Sequence, residues 1–364
     1  MTTIDGEILT ENGWLAGRIG FDETISQLEA DGQASSDRLI LPGFIDLHVH
    51  GGGGGDCMDG EDATRAMTRC HARFGTTGLL VTTMTSPAAA LIRALEGIGS
   101  VISRPEMNAS AVLGVHLEGP FISPDQLGAQ PPFARPADIG AFDRYAAMAP
   151  TRMITLAPEE DPDFALIRHA SACGVRVQMA HSTADAETTL AALEAGATGF
   201  THLYNAMVGL HHRKPGMVGA ALARARHAEL IVDRIHVDDL AIMAAVRAIP
   251  LVHAVTDGTA ACGMPDGEYT LGRHRVRRSG NRVQLANGGL AGSCLTMDQG
   301  LRNLVAIGLE VEMASALCST RPAAYLGLAD RGRIETGLRA DLVVLNTDLA
   351  LESVYVAGQL VTDR

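Results

Sequence analysis

Phe44-Ile-Asp-Leu-His48-Val-His50, followed at once by five glycines at 51–55, is the stretch of this chain on which the fold reading turns. Side chains alternate faces along a strand, so His48 and His50 share one face at the end of an apolar run. Two imidazoles so placed can reach a single divalent metal, although packed or supporting histidines give the same pattern. The glycine run then lets backbone or ligand approach closely. The rest of the chain decides between these readings, because it repeats the pattern.

Working outward, short β-branched apolar runs lie at residues 43–50, 78–83, 112–118, 153–156, 175–181, 199–203, 230–236 and 251–256. Helix-like stretches separate them at 61–74, 87–103, 138–149, 161–173, 184–194 and 238–248. Such alternation predicts a parallel sheet, and eight units predict a closed (β/α)8, TIM-type barrel over residues 43–330. Strand seven is the weakest of the eight, since 230–236 carries Asp233 and Arg234. A doubly wound sheet is set aside because Asp56 stands where a Gly-x-Gly-x-x-Gly turn, counted from Gly51, needs its third glycine. Residues 1–42 and 331–364 read differently, as short strand-like pieces between turns. Neither end can bury a core alone, so the two are expected to form one composite β-sandwich domain beside the barrel.

The 364 residues are 46% hydrophobic and only 4% aromatic, with a formal net charge of −13. That balance argues against a nucleic-acid or anionic-membrane partner, but leaves room for an anionic small substrate held by a local positive cluster. The first residues show no basic-then-apolar leader, and no uncharged apolar run approaches ~18 residues. Six scattered cysteines with no Cys-x-x-Cys pair fit free thiols in a reducing cytoplasm better than a disulfide framework.

Barrel enzymes keep their catalytic groups at the C-terminal strand ends. Strand one ends in His48 and His50, strand three in His116-Leu-Glu118, strand five in His181, strand six in His202 and strand eight in Asp257. Histidines and carboxylates are ligands that zinc or iron accepts, and their recurrence at five ends points to a metal hydrolase. Singly, each has a plainer account: Glu118 as a cap, His181 and His202 as core histidines, Asp257 as a loop carboxylate. Facing a metal, Asp257 would be well placed to move protons. His116 sits one layer deeper than Glu118 and reads as a supporting residue. His211 and His212 read as a solvated loop, and the alternating Arg273, Arg275, Arg277 and Arg278 as the outer face of a hairpin.

Taken in order, His48-x-His50, His116-Leu-Glu-Gly-Pro-Phe, Ala180-His-Ser, Thr201-His-Leu-Tyr-Asn-Ala-Met, Arg213-Lys-Pro-Gly, Ile235-His-Val, Val255-Thr-Asp and Leu290-Ala-Gly-Ser resemble the N-acetylglucosamine-6-phosphate deacetylases. These belong to the amidohydrolase superfamily of metal-dependent barrels, and the resemblance covers nearly the whole chain. It implies that Glu118, His181 and His202 hold a principal divalent metal, and that His48 and His50 hold a second. Zinc comes first among the candidates, with iron, manganese and cobalt behind it. It implies Asp257 as the catalytic acid/base. It implies Asn205, Ala206, Arg213 and His236 as phosphate and sugar contacts, Ala129 and Gln130 beside the acetyl region, and Leu290, Ala291 and Gly292 lining the sugar pocket. It further implies a cytoplasmic homodimer whose phosphate-binding residues cross the interface, serving amino-sugar catabolism or cell-wall recycling.

One position departs from that pattern. After Leu-Glu-Gly-Pro-Phe the family usually has a Gly-(Ala/Thr)-His step, and here Gln130 stands at the histidine position. Glutamine keeps a donor and an acceptor but carries no charge. The expected reaction is hydrolysis of the acetamide of N-acetyl-D-glucosamine 6-phosphate. The galactosamine epimer, another amidohydrolase substrate, and a sugar-phosphate-binding protein without turnover stand as alternatives.

Overall fold

The computed structural model describes residues 1–31 and 37–362; positions 32–36 and 363–364, within the two end segments, lie outside the described residues. Six parallel strands form one curled sheet in the order Gly199–Phe200, Arg176–Met179, Thr151–Leu156, Ala111–Glu118, Thr76–Thr83 and Phe44–Val49. His227–Ile231 and Leu251–Val255 form a separate parallel pair. The ladder is therefore not the continuous closed ring that the sequence predicts. Backbone bonds still cross both seams: Leu203 N–H reaches Glu229 O at 2.9 Å at one, and at the other Asp257 N–H reaches His48 O at 3.0 Å and His50 N–H reaches Gly258 O at 2.8 Å. His181, His202 and Asp257, each just past a strand end, have φ of 48°, 32° and 50°.

Period-two alternation sorts the strand residues between core and interior. Val115, Leu117, Ile154, Leu156, Val177 and Met179 join the main apolar core under the helices. Their neighbours His116, Thr155 and Gln178 turn the other way, and Thr201 links the last two by bonds at 2.5 and 2.6 Å. The helices Glu61–Ala72, Ala88–Ser103, Ile139–Ala146, Ala165–Ala172, Ala186–Ala195 and Asp239–Ala248 fall where the sequence places them. Asp138, Asp185 and Asp238 start three of these by accepting bonds from first-turn N–H groups.

The chain ends do pair. Leu342–Asn346 lies antiparallel to Arg38–Pro42, within a seven-stranded sheet that also contains Thr2–Thr10, Gly13–Phe21, Ile25–Ala30, Leu351–Val356 and Gln359–Leu360. In hydrogen bonding this is one sheet rather than the two layers of a sandwich. Its own cluster of Ile4, Ile8, Ile19, Phe21, Ile40 and Leu342 is separate from the main core. A three-stranded antiparallel sheet, Gly267–Leu271, His274–Ser279 and Arg282–Gln284, carries the basic run. Val276 is buried between exposed Arg275 and Arg277, as a solvated strand face requires.

Candidate metal centre and substrate pocket

The C-terminal strand ends bring two groups of donors together. Glu118, His181 and His202 form one, and His48, His50 and Asp257 the other. In the first, Glu118 Oε1 lies 3.2 Å from His181 Nε2 and 3.1 Å from His202 Nε2, and those two nitrogens are 3.1 Å apart. In the second, His48 Nε2 and His50 Nε2 are 3.1 Å apart, and Asp257 Oδ1 is 3.4 and 3.2 Å from them. Glu118 reaches across with Oε2, 3.6 Å from His48 and 3.3 Å from His50. Five of the six side chains are buried, and that of Asp257 is 11% exposed.

The tautomers follow from what lies behind each ring. His50 Nδ1 faces Thr82 O at 3.0 Å and His181 Nδ1 faces Gln126 O at 2.8 Å, so both must donate there. His48 Nδ1 faces Glu229 Oε2 at 2.9 Å. The Nε2 lone pairs of all three then converge on the two groups. Lone pairs 3.1 Å apart repel unless a proton or a cation lies between them, so this donor set fits divalent metal. Burial works against the charged forms of His48 and His50, yet the surrounding carboxylates hold His48 well above the usual imidazole range and His50 at about 9. Burial likewise opposes ionisation of Glu118, but His48, His181 and His202 hold it well below the usual carboxylate range. Asp257 is lowered in the same way, chiefly by His48 and His50 against burial. His116, pushed well below its ordinary value by burial and then by His48, instead bonds Thr155 Oγ1 at 2.7 Å and packs edge-on to His48. That is the supporting place expected of it.

The positive φ values at His181, His202 and Asp257 belong to this argument. A non-glycine residue held in the left-handed region costs of order 1–3 kcal/mol and persists where its surroundings dictate it. Three such residues surround one cluster, and Ala206, at φ 50°, lies beside it.

A cavity of about 190 Å³ opens over the cluster, lined by His50, Glu118, His181, His202 and Asp257 together with Ala129, Gln130, Asn205, Ala206, His236, Leu290 and Gly292. Ala291 is buried behind that lining. Arg213 stands apart from the cavity, on a stretch exposed from 209 to 215 that includes His211 and His212. Gln130 is bonded at both ends: Nε2 donates to Glu118 Oε2 at 2.6 Å, and Oε1 accepts from Thr85 N–H at 2.7 Å. Asp233 holds His236 Nδ1 at 2.7 Å and, against burial, raises its pKa. Cys57 and Cys262 are fully buried outside the lining.

Sequence reading missed Glu229, Asp233, Thr82, Met84 and Leu271. Glu229 lies on His227–Ile231, three residues earlier than the strand expected at 230–236. A lone carboxylate within Ala228-Glu-Leu-Ile-Val was the available signal.

The amidohydrolase family model matches residues 39–361. The chain is 39% identical to the N-acetylgalactosamine-6-phosphate deacetylase of Escherichia coli O157:H7, over 97% of each protein. It is 37% identical to the N-acetylglucosamine-6-phosphate deacetylase of Vibrio furnissii, over 93% of this chain and 89% of that one. Among solved structures it resembles a Mycobacterium smegmatis N-acetyl-D-glucosamine-6-phosphate deacetylase variant in complex with N-acetyl-D-glucosamine-6-phosphate. That match has a TM-score of 0.91 and 32% identity, covering 100% of this chain and 99% of the other. The chain therefore belongs to the N-acetylglucosamine-6-phosphate deacetylase family of the amidohydrolases.

Proposed function

We propose that the protein hydrolyses the acetamide of N-acetyl-D-glucosamine 6-phosphate to D-glucosamine 6-phosphate and acetate. The observation that carries this reading is the convergence of Asp257 with Glu118, His48, His50, His181 and His202 at the floor of a sugar-sized cavity. Relatives named for the same reaction support it. Glu118, His181 and His202 would hold the principal divalent metal and His48 and His50 a second, with zinc ahead of iron, manganese or cobalt. When bound, such a metal acts as a Lewis acid and lowers the pKa of water to about 7.

The chain's own residues do the rest. Asp257, ionised in its cationic surroundings, takes a proton from the attacking water. It returns that proton to the leaving nitrogen, because an amine anion is too poor a leaving group to depart unaided. Asn205, Ala206, Ala129, Leu290, Ala291 and Gly292 would shape the sugar site, with Gln130 beside the acetyl region. His236, steadied by Asp233, and Arg213 would bind the phosphate, Arg213 through its two-donor fork. Arg213 lies outside this chain's cavity, which supports a homodimer in which a second copy supplies it. We read the division into a composite end domain (1–42 with 331–364) and a catalytic (β/α)8 barrel (43–330) as the frame for this site, the barrel's ladder being interrupted at its two seams. No helix among the described residues is long and apolar enough to cross a membrane. We assign the reaction to cytoplasmic amino-sugar catabolism or cell-wall recycling.

The galactosamine epimer is the second reading, favoured by the 39% identity to a deacetylase of that name. Acetate release from the two N-acetylated 6-phosphates and from unphosphorylated N-acetylglucosamine, with metal content measured on the same sample, tests both. Release from the glucosamine epimer foremost is expected. A strong preference for the galactosamine epimer would transfer the assignment to it, and no release from metal-filled protein would end the deacetylase reading.

A further inference from the structure

Glu229 has no part in the chemistry above. It is fully buried, and its only ion pair among the described residues is with His48. Oε2 accepts from His48 Nδ1–H at 2.9 Å and from the His202 backbone N–H at 3.3 Å, while Oε1 has no hydrogen-bond partner. A buried carboxylate with one oxygen unmet is costly, and cores retain such groups where nearby positive charge compensates them. The backs of the other rings differ. His50 and His181 rest on neutral backbone carbonyls, and His202 Nδ1 has no partner. Among these four histidines, only His48 has an anion behind it.

We propose that Glu229 is the positioning residue that makes His48 a ligand, with His50, for a second divalent cation, and so decides whether the chain holds one ion or two. The inference rests on the metal assignment above. By fixing the proton on Nδ1, Glu229 leaves the Nε2 lone pair facing His50 and Asp257, and its charge makes that nitrogen a stronger donor. The principal group loses little without Glu229, because its one link there is the long 3.3 Å bond to the His202 backbone N–H, while His181 and Glu118 are held from elsewhere, by Gln126 O and by Gln130.

The test is Zn²⁺ stoichiometry and affinity, by elemental analysis and by competition with a chromophoric chelator, for the parent, Glu229→Gln and Glu229→Ala. The parent should hold two ions per chain. Glu229→Gln keeps the shape and an acceptor without the charge, and should weaken only the second ion, by ~10-fold; Glu229→Ala should weaken it ~100-fold. The first ion should change less than about threefold in both variants. If the alanine variant does not fold, the near-isosteric glutamine variant still decides the matter. Two ions at parental affinity in the variants would overturn the proposal. So would a parent that holds a single ion, or parallel loss of both ions together with thermal stability, which marks a structural role. Acetate release by the parent, measured on the same preparation, distinguishes failure of this inference from failure of the deacetylase reading.

Discussion

At the C-terminal ends of the strands, His50 lies 3.2 Å from Asp257 and 3.3 Å from Glu118, and those carboxylates hold it at about 9 in spite of burial. Deeper in the barrel, His253 on Leu251–Val255 is as fully buried, yet neither ring nitrogen has a hydrogen-bond partner among the described residues, and burial with nearby His227 pushes it down to about 3. His253 sits within an apolar strand and His50 just past the end of one. What separates the proposed ligand from the core residue is the company of carboxylates, which no single strand's sequence reveals. The difference also predicts where the molecule is sensitive: at the carboxylate-rich end in function, and at the other end in stability alone.

The largest expected effect tests the functional end as a whole. Exhaustive chelation should take acetate release to background, and added Zn²⁺ or Mn²⁺ should restore it. Activity that survives in protein shown to be metal-free would break the comparison outright, because the converging Nε2 atoms would then have no ligand role. Next comes Asp257→Asn, expected to lower turnover by ~100-fold or more while metal content stays at the parental level. Loss of metal along with turnover would make Asp257 chiefly a ligand. Smaller again is Arg213→Ala, which should raise KM for the phosphorylated sugar ~10–100-fold and leave the unphosphorylated sugar nearly unaffected. Equal losses on both substrates would remove Arg213 from the phosphate site.

Much of the functional end was legible because each strand announces its own terminus. The apolar run ending in His48-Val-His50 and the run ending in His116-Leu-Glu118 are local signals, and the structure brings their ends together. Arg275 and Arg277 flank a buried Val276, a period-two pattern that the sequence also shows. What was not legible depends on contacts between distant segments. The bond from Glu229 to His48 joins residues 181 apart. The resemblance puts Gln130 beside the acetyl region, and nothing local says that it reaches Glu118 and Thr85 N–H at once. Strand seven was set too late because Val232 extends the apolar run, whereas regular pairing stops at Ile231 opposite Val255. The interrupted ladder is likewise a matter of how distant strands meet, and no single strand's sequence shows it.

The smallest effect sharpens the comparison from the quiet end. His253 packs against Tyr325 and faces His227 and Arg321, with no carboxylate among the groups that set its charge. Its folded value of about 3 lies below the ordinary 6.5, so between those limits the unfolded chain binds a proton that the folded chain does not. Stability from this group is therefore complete above pH ~6.5 and is lost as pH falls toward 3, at up to ~1.4 kcal/mol per pH unit. His253→Leu removes that term together with two unbonded buried nitrogens. It should leave turnover within about twofold and stability at pH 7.5 within ~1 kcal/mol. At pH 5.5 the variant should have lost about 1 kcal/mol less than the parent in paired urea titrations. A variant that keeps the parent's full acid sensitivity would show that His253 takes up its proton in the folded state as readily as in the unfolded one. A variant that loses turnover would show that the two ends are coupled, and the contrast between them would have to be given up.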